Sequence, residues 1–256
     1  MARIELRDCD VILQDGLNGA AAVNQPVTPP AENDTQLTID TIVLNTKDSD
    51  LVPLGARFKI AGETTPVYHT VTARTPSGSS PTTQITFSPA LGAGTYTDGG
   101  LVTFYPQELE IKIGDGNVTY TEHNEYKYEL DRGDLDTVRE GNQVPMDVKL
   151  EAVFEHITQG TSEPVSPVDA LKGIGGAAEW VSASDDLCEP YCVHMIVRHT
   201  PPCGTAQREQ VAFPDFRSES REVNYKEASI SVSGKCKRTE PQVDRVGSAD
   251  PWPDVQ

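Results

Sequence analysis

The strictest constraint in this chain is a period-two alternation that recurs between residues 107 and 157. Met146, Val148, Leu150, Ala152 and Phe154 face one way, and Asp147, Lys149, Glu151 and Glu155 face the other. A strand sends successive side chains to opposite faces, so this is the mark of a sheet with one dry and one wet side. Leu109-Glu110-Ile111-Lys112-Ile113 repeats it, and Tyr126, Tyr128 and Leu130 alternate with Glu125, Lys127 and Glu129. Gly114-Asp115-Gly116-Asn117 offers the residues of a tight turn, which predicts a hairpin returning through Val118-Thr119-Tyr120-Thr121. Residues 132–143 read as a long polar loop. The expectation is a large acidic sheet surface with one exposed loop, and no catalytic constellation on it.

Charge narrows the function classes. With 39 acidic and 21 basic residues the chain carries a formal charge of −18, and phosphate neutralisation needs the opposite sign. Residues 36–105 hold five acids and four bases, whereas residues 114–158 hold eleven acids and four bases, so the acidity belongs to the main body. Met1-Ala2-Arg3-Ile4-Glu5-Leu6 reads as a strand start and not as a signal peptide, and no apolar run is long enough for a membrane helix. Synthesis in a cytoplasm follows, where five cysteines are most simply reduced thiols.

Along the chain, residues 3–14 read as a strand and residues 17–35, rich in Gly, Ala and Pro, as a linker. Residues 36–105 present six short strand candidates (37–39, 42–44, 57–62, 67–71, 84–87 and 101–104), spaced as in a compact barrel or sandwich. Ser166-Pro167-Val168-Asp169 is a helix start: a Ser cap, Pro at the first position and an acid in the first turn. That helix is expected to bury Val168, Leu171 and Ala178, with Gly173, Gly175 and Gly176 weakening it and Trp180 anchoring its end. Strands resume at 192–199, 207–213, 221–225 and 227–234, and the Pro-rich segment 241–256 is expected to be a loose tail. The domain reading is a discontinuous core of 1–35 and 106–240 around an inserted small β domain, 36–105.

Cys188, Cys192, His194, His199 and Cys203 crowd together, but their spacings do not match a zinc finger. If 192–199 is a strand, its eight residues at about 3.3 Å each hold Cys192 and Cys203 about 26 Å apart. Asp131, Asp134 and Asp136 lack the closing Glu of a calcium loop, and no activated-serine elbow or phosphate loop is present. The sequence points to no enzyme, no cofactor and no metal.

Three runs together resemble the tail tube (major tail) proteins of long-tailed bacteriophages. They are Leu109 to Glu122, Tyr128 to Gly141, and Phe213-Pro214-Asp215-Phe216-Arg217-Ser218-Glu219-Ser220 through Ile230 to Cys236. The resemblance implies a mainly β fold: a β-sandwich or barrel tail-tube core with one flanking α-helix, plus a small inserted β domain. It implies a homo-oligomer of six-membered rings stacked into a tube, located in the virion tail. Partners would be the tape measure, terminator and baseplate proteins, with double-stranded DNA only as repelled cargo in transit and no membrane. The loop Asp131, Arg132, Gly133, Asp134, Leu135, Asp136, Thr137, Val138, Arg139, Glu140 would touch the neighbouring ring. Glu108, Glu110, Glu151 and Glu155 are candidates for an acidic lumen wall that keeps duplex DNA sliding. The rival readings are a baseplate ring or capsid decoration protein, and a metal-binding protein built on the Cys/His cluster.

Overall fold

The structure is a computed structural model that describes residues 9–25, 27–44, 52–76, 83–131, 134–157, 164–184, 186, 188–201, 207–247 and 250–255. The fold is mainly β, with a six-stranded closed barrel, a larger sheet and a short helix. Contacts divide the chain into two compact units, Gln14–Leu109 with His156–Tyr191, and Met1–Leu13 with Glu110–Glu155 and Cys192–Gln256.

Strand β1 (Cys9–Gln14) opens the sheet, and the barrel follows it: β2 (Gly19–Val23), β3 (Gln36–Leu44), β4 (Arg57–Ile60), β5 (His69–Pro76), β6 (Thr83–Ser88) and β7 (Leu101–Tyr105). These close in the order β2-β3-β6-β5-β4-β7, every pair antiparallel. Closure leaves no sheet edge exposed. Residues 17–35 are therefore not simply a linker: β2 lies between β3 and β7 and sends Ala21 and Val23 inward. The candidates 37–39 and 42–44 are one strand, β3.

The barrel interior is aromatic at its centre. The Phe58 ring meets those of Phe87 and Phe104 at centroid distances of 5.2 and 5.7 Å, and the fully buried His69 lies 5.3 Å from Phe58. His69 is held at both nitrogens, by the Pro89 carbonyl at 2.8 Å and the Glu63 carboxylate at 3.4 Å. Burial acts to raise the Glu63 carboxyl, but N–H donors from Val67 and Gly92 and the charge of His69 outweigh it and hold it below its usual range.

Helix α1 (Pro167–Lys172) begins where the sequence predicts. Ser166 and Asp169 form a reciprocal capping box, and Gly173 ends the helix at φ 62°. It buries Pro167, Ala170 and Leu171; Ala178 lies beyond its end and is exposed. The helix groups with the barrel unit rather than with the sheet. Behind it, Glu179 fastens this segment to the barrel through a two-pronged pair with Arg74 at 2.8 and 3.1 Å.

The larger sheet runs β8 (Glu108–Ile111), β1, β13 (Val193–His199), β14 (Arg208–Asn224), β15 (Ser229–Lys235), β12 (Asp147–Val153), β9 (Val118–Thr121), and β16 (Gln242–Val246) joins β14. Two expectations change here. β8 and β9 are not a hairpin, because β9 pairs with β12, with Val118 opposite Leu150. Gly114, at φ 60°, and Gly116 turn the chain across to β12, and a Cβ on Gly116 would sit 1.9 Å from the Glu151 carbonyl oxygen. The tail is also not loose. β16 pairs with β14, Trp252 stacks under the Arg208 guanidinium at 4.2 Å, and Val255 packs against Ile12, Ile196 and Ala212.

Asp15 is a buried carboxyl of the barrel unit. Fully buried, it accepts backbone N–H groups from Gln107 (2.7 Å), Leu17 (3.2 Å) and Val181 (3.3 Å). Burial nevertheless dominates and raises its pKa from 3.8 to about 7. A raised carboxyl binds its proton more tightly when folded, so its contribution is complete below the unfolded value and is lost as pH rises through the folded one. Thermal melting of the chain should lose stability to this group between about pH 4 and pH 7. Asp15→Asn should flatten that slope; an unchanged slope would contradict the assignment.

Candidate assembly surface

The segment expected as a loop carries the second strand of a β-hairpin. β10 (Tyr126–Asp131) pairs antiparallel with β11 (Asp134–Glu140), Tyr126 opposite Glu140 and Tyr128 opposite Val138. Arg132 and Gly133 lie outside the described residues, and Asp131 falls at the end of β10. Asp134, Leu135, Asp136, Thr137, Val138, Arg139 and Glu140 form β11. A register shift after Glu129 leaves Asp136 as an extra residue, so Leu135 and Val138 lose the two-residue period by which sequence reading finds strands.

The hairpin is a sheet of its own: among the described residues β10 and β11 pair only with each other. Its polar face carries internal pairs. Glu129 takes Arg139 at 3.4 Å and the Thr137 hydroxyl at 3.1 Å. The other face carries Tyr126, Tyr128, Leu130 and Val138, which are 52, 61, 64 and 53 % exposed. Isolated two-stranded hairpins are at best marginally stable in water, and an aligned apolar stripe on one is a surface that gains by being covered.

The four glutamates have different surroundings. Glu108 is half-buried, pairs with Arg57 at 3.2 Å and accepts from Gln14 at 3.1 Å. Glu155 is held by Lys112 at 3.0 Å. Glu110 and Glu151 are exposed. Around Glu151, the rows across β12, β15 and β14 read Asp147–Lys235–Arg217, Lys149–Ser233–Ser220 and Glu151–Ser231–Glu222. Three acids meet three bases there, so this face is hydroxyl-rich and charge-balanced and not the acidic surface expected. The acids of residues 114–158 are concentrated elsewhere: six of the eleven lie between Glu125 and Glu140. At the root of the hairpin, His123 bonds Asp147 at 2.7 Å, and this hydrogen bond holds the Asp147 carboxyl below its usual range.

The Cys/His cluster is dispersed. Cys188 is exposed and Cys192 buried, His194 accepts the Asp215 N–H at 3.3 Å, His199 ends β13, and Cys203 lies outside the described residues. Cys236 is buried near Cys192, and burial pushes its thiol up to about 12. Among the described residues no group of three His, Cys, Asp or Glu side chains is arranged to hold a metal, and no helix is long and apolar enough to cross a membrane. No family model matches the chain, and neither the curated proteins nor the solved structures contain a match to it.

A hairpin that pairs with no other described strand should open locally far more often than the strands on either side of β14. Hydrogen exchange on the unassembled chain should therefore exchange the amides of 126–130 and 137–140 well before those of β13 and β15. Equal protection would mean that the hairpin is already covered.

Proposed function

We propose that this chain is a non-enzymatic structural subunit of the tail-tube type, which assembles into hexameric rings that stack into a tube for DNA passage. The observation that carries the reading is the exposed stripe of Tyr126, Tyr128, Leu130 and Val138 on a hairpin that, among the described residues, pairs with no other strand. A monomer gains nothing from presenting four large apolar side chains on one face of a solvated ribbon, whereas a subunit that stacks buries them against its neighbour. The resemblance of residues 128–141 to the ring-contact segment of tail tube proteins falls on this same hairpin. In a tube, Glu110 and Glu151 are the exposed candidates for the wall, and Glu108 and Glu155 serve mainly as partners of Arg57 and Lys112. The proposed partners are further copies of this chain, the other proteins of the tail, and DNA as cargo that the wall does not bind. Its place is the virion tail.

The triple variant Tyr126→Ser, Tyr128→Ser, Leu130→Ser tests this directly. Each side chain is more than half exposed, so melting should stay within a few degrees of the parent chain. Sedimentation velocity should show the parent assembling with rising concentration and the variant remaining small. A variant that assembles as the parent does would sink the hairpin's role.

A further inference from the structure

If the hairpin is a contact element, the sheet also identifies what receives it, and this step rests on that reading. The hairpin is rooted at one end of β12: Thr121, the last residue of β9, lies opposite Asp147, and His123 bonds Asp147. β12 then runs to Val153, which lies opposite Ser229 and marks the other end of the sheet. The six steps between Asp147 and Val153 span about 20 Å at about 3.3 Å each.

That far end carries its own uncovered aromatic. β14 ends at Asn224, opposite Ser229, and the turn into β15 presents Tyr225, 81 % exposed. Tyr225 is not a stray side chain. Its ring stands edge-on to Phe154 at 5.8 Å, and the turn beneath it is braced by Asn224, whose amide and carbonyl oxygen hold Glu227 and the Lys226 and Glu227 N–H groups. A braced, half-supported aromatic is a preformed anchor. Exposed lysines flank it: Lys226 follows it in the turn. Lys112, paired with Glu155, meets the same end of β12 through its carbonyl, which accepts the Val153 N–H. The hairpin is acidic, with six acids and three bases from Glu125 to Glu140. Two hairpins therefore repel one another, whereas the turn end, where Lys226 stands beside Glu227 and Lys112 pairs with Glu155, is charge-balanced and does not repel the hairpin.

We propose that the Tyr126–Tyr128–Leu130 face of one copy seats on the Tyr225–Phe154 end of a second copy. The two surfaces are different, and the elements that carry them are rooted at opposite ends of one sheet. The contact is therefore heterologous and leaves a free hairpin at one end and a free Tyr225 at the other, the arrangement that propagates into a filament unless its rotation closes it into a ring.

Tyr225→Ser and a cross-linking pair test this in a chain whose Cys188 and Cys203 are replaced by Ser. Tyr225→Ser should leave melting unchanged and raise the concentration needed for stacking by at least about tenfold. Tyr128→Cys chains mixed with Tyr225→Cys chains should form an intermolecular disulfide under mild oxidation, and neither variant should do so alone. Cross-linking of Tyr128→Cys to itself, or stacking of Tyr225→Ser at the parent's concentration, would overturn the proposal and leave hairpin-driven assembly standing. A parent chain that never assembles would overturn both.

Discussion

The larger sheet depends on one strand. β14 runs for seventeen residues and belongs to two sets of partners: its first half pairs with β13 and β16, its second with β15. A regular strand of that length would keep one face throughout. Asp215, at φ 52°, inserts an extra residue opposite the step from Val193 to Met195, and this bulge shifts the parity of everything after it. Phe213 and Phe216, three positions apart and of opposite parity in a regular strand, are both fully buried because of it. A second irregularity, between Ser218 and Ser220, bends the strand again within its pairing with β15. Through these bends one strand joins the tail-covered side of the sheet to the side that carries β12.

The same continuity places the two ends that assembly would use. β12 and β15 are fixed in register from Asp147–Lys235 to Val153–Ser229, so the root of the hairpin and the Tyr225 turn are held apart by the length of the sheet. The hydroxyl-rich, charge-balanced face between them contains no concentrated charge to compete. Apolar contact at the ends, with an acidic hairpin that disfavours meeting its own kind, gives direction to growth. The barrel is a closed unit with its own aromatic core and contributes no open edge.

Much of this was legible in the sequence where alternation was regular and one face was dry. β12, β15 and the Ser166 cap of α1 are examples. Alternation specifies a face and not a partner, which is why β9 was expected beside β8 and pairs instead with β12. β2 was hidden by its composition, since Gly19-Ala20-Ala21-Ala22-Val23 has only one bulky residue to betray a strand. β11 was hidden by its bulge and by having no core to face, so an alternation-based reading takes this segment for a loop. Tyr225 had no sequence signal at all. A tyrosine beside a turn is ordinary, and only the Phe154 ring and its exposure distinguish it.

The most direct test of the account is electron microscopy of the purified full chain in negative stain across a range of concentrations. The account predicts hollow tubes of uniform width that lengthen as concentration rises. Discrete closed rings that never stack, at any concentration, would contradict it and favour a baseplate or decoration role instead.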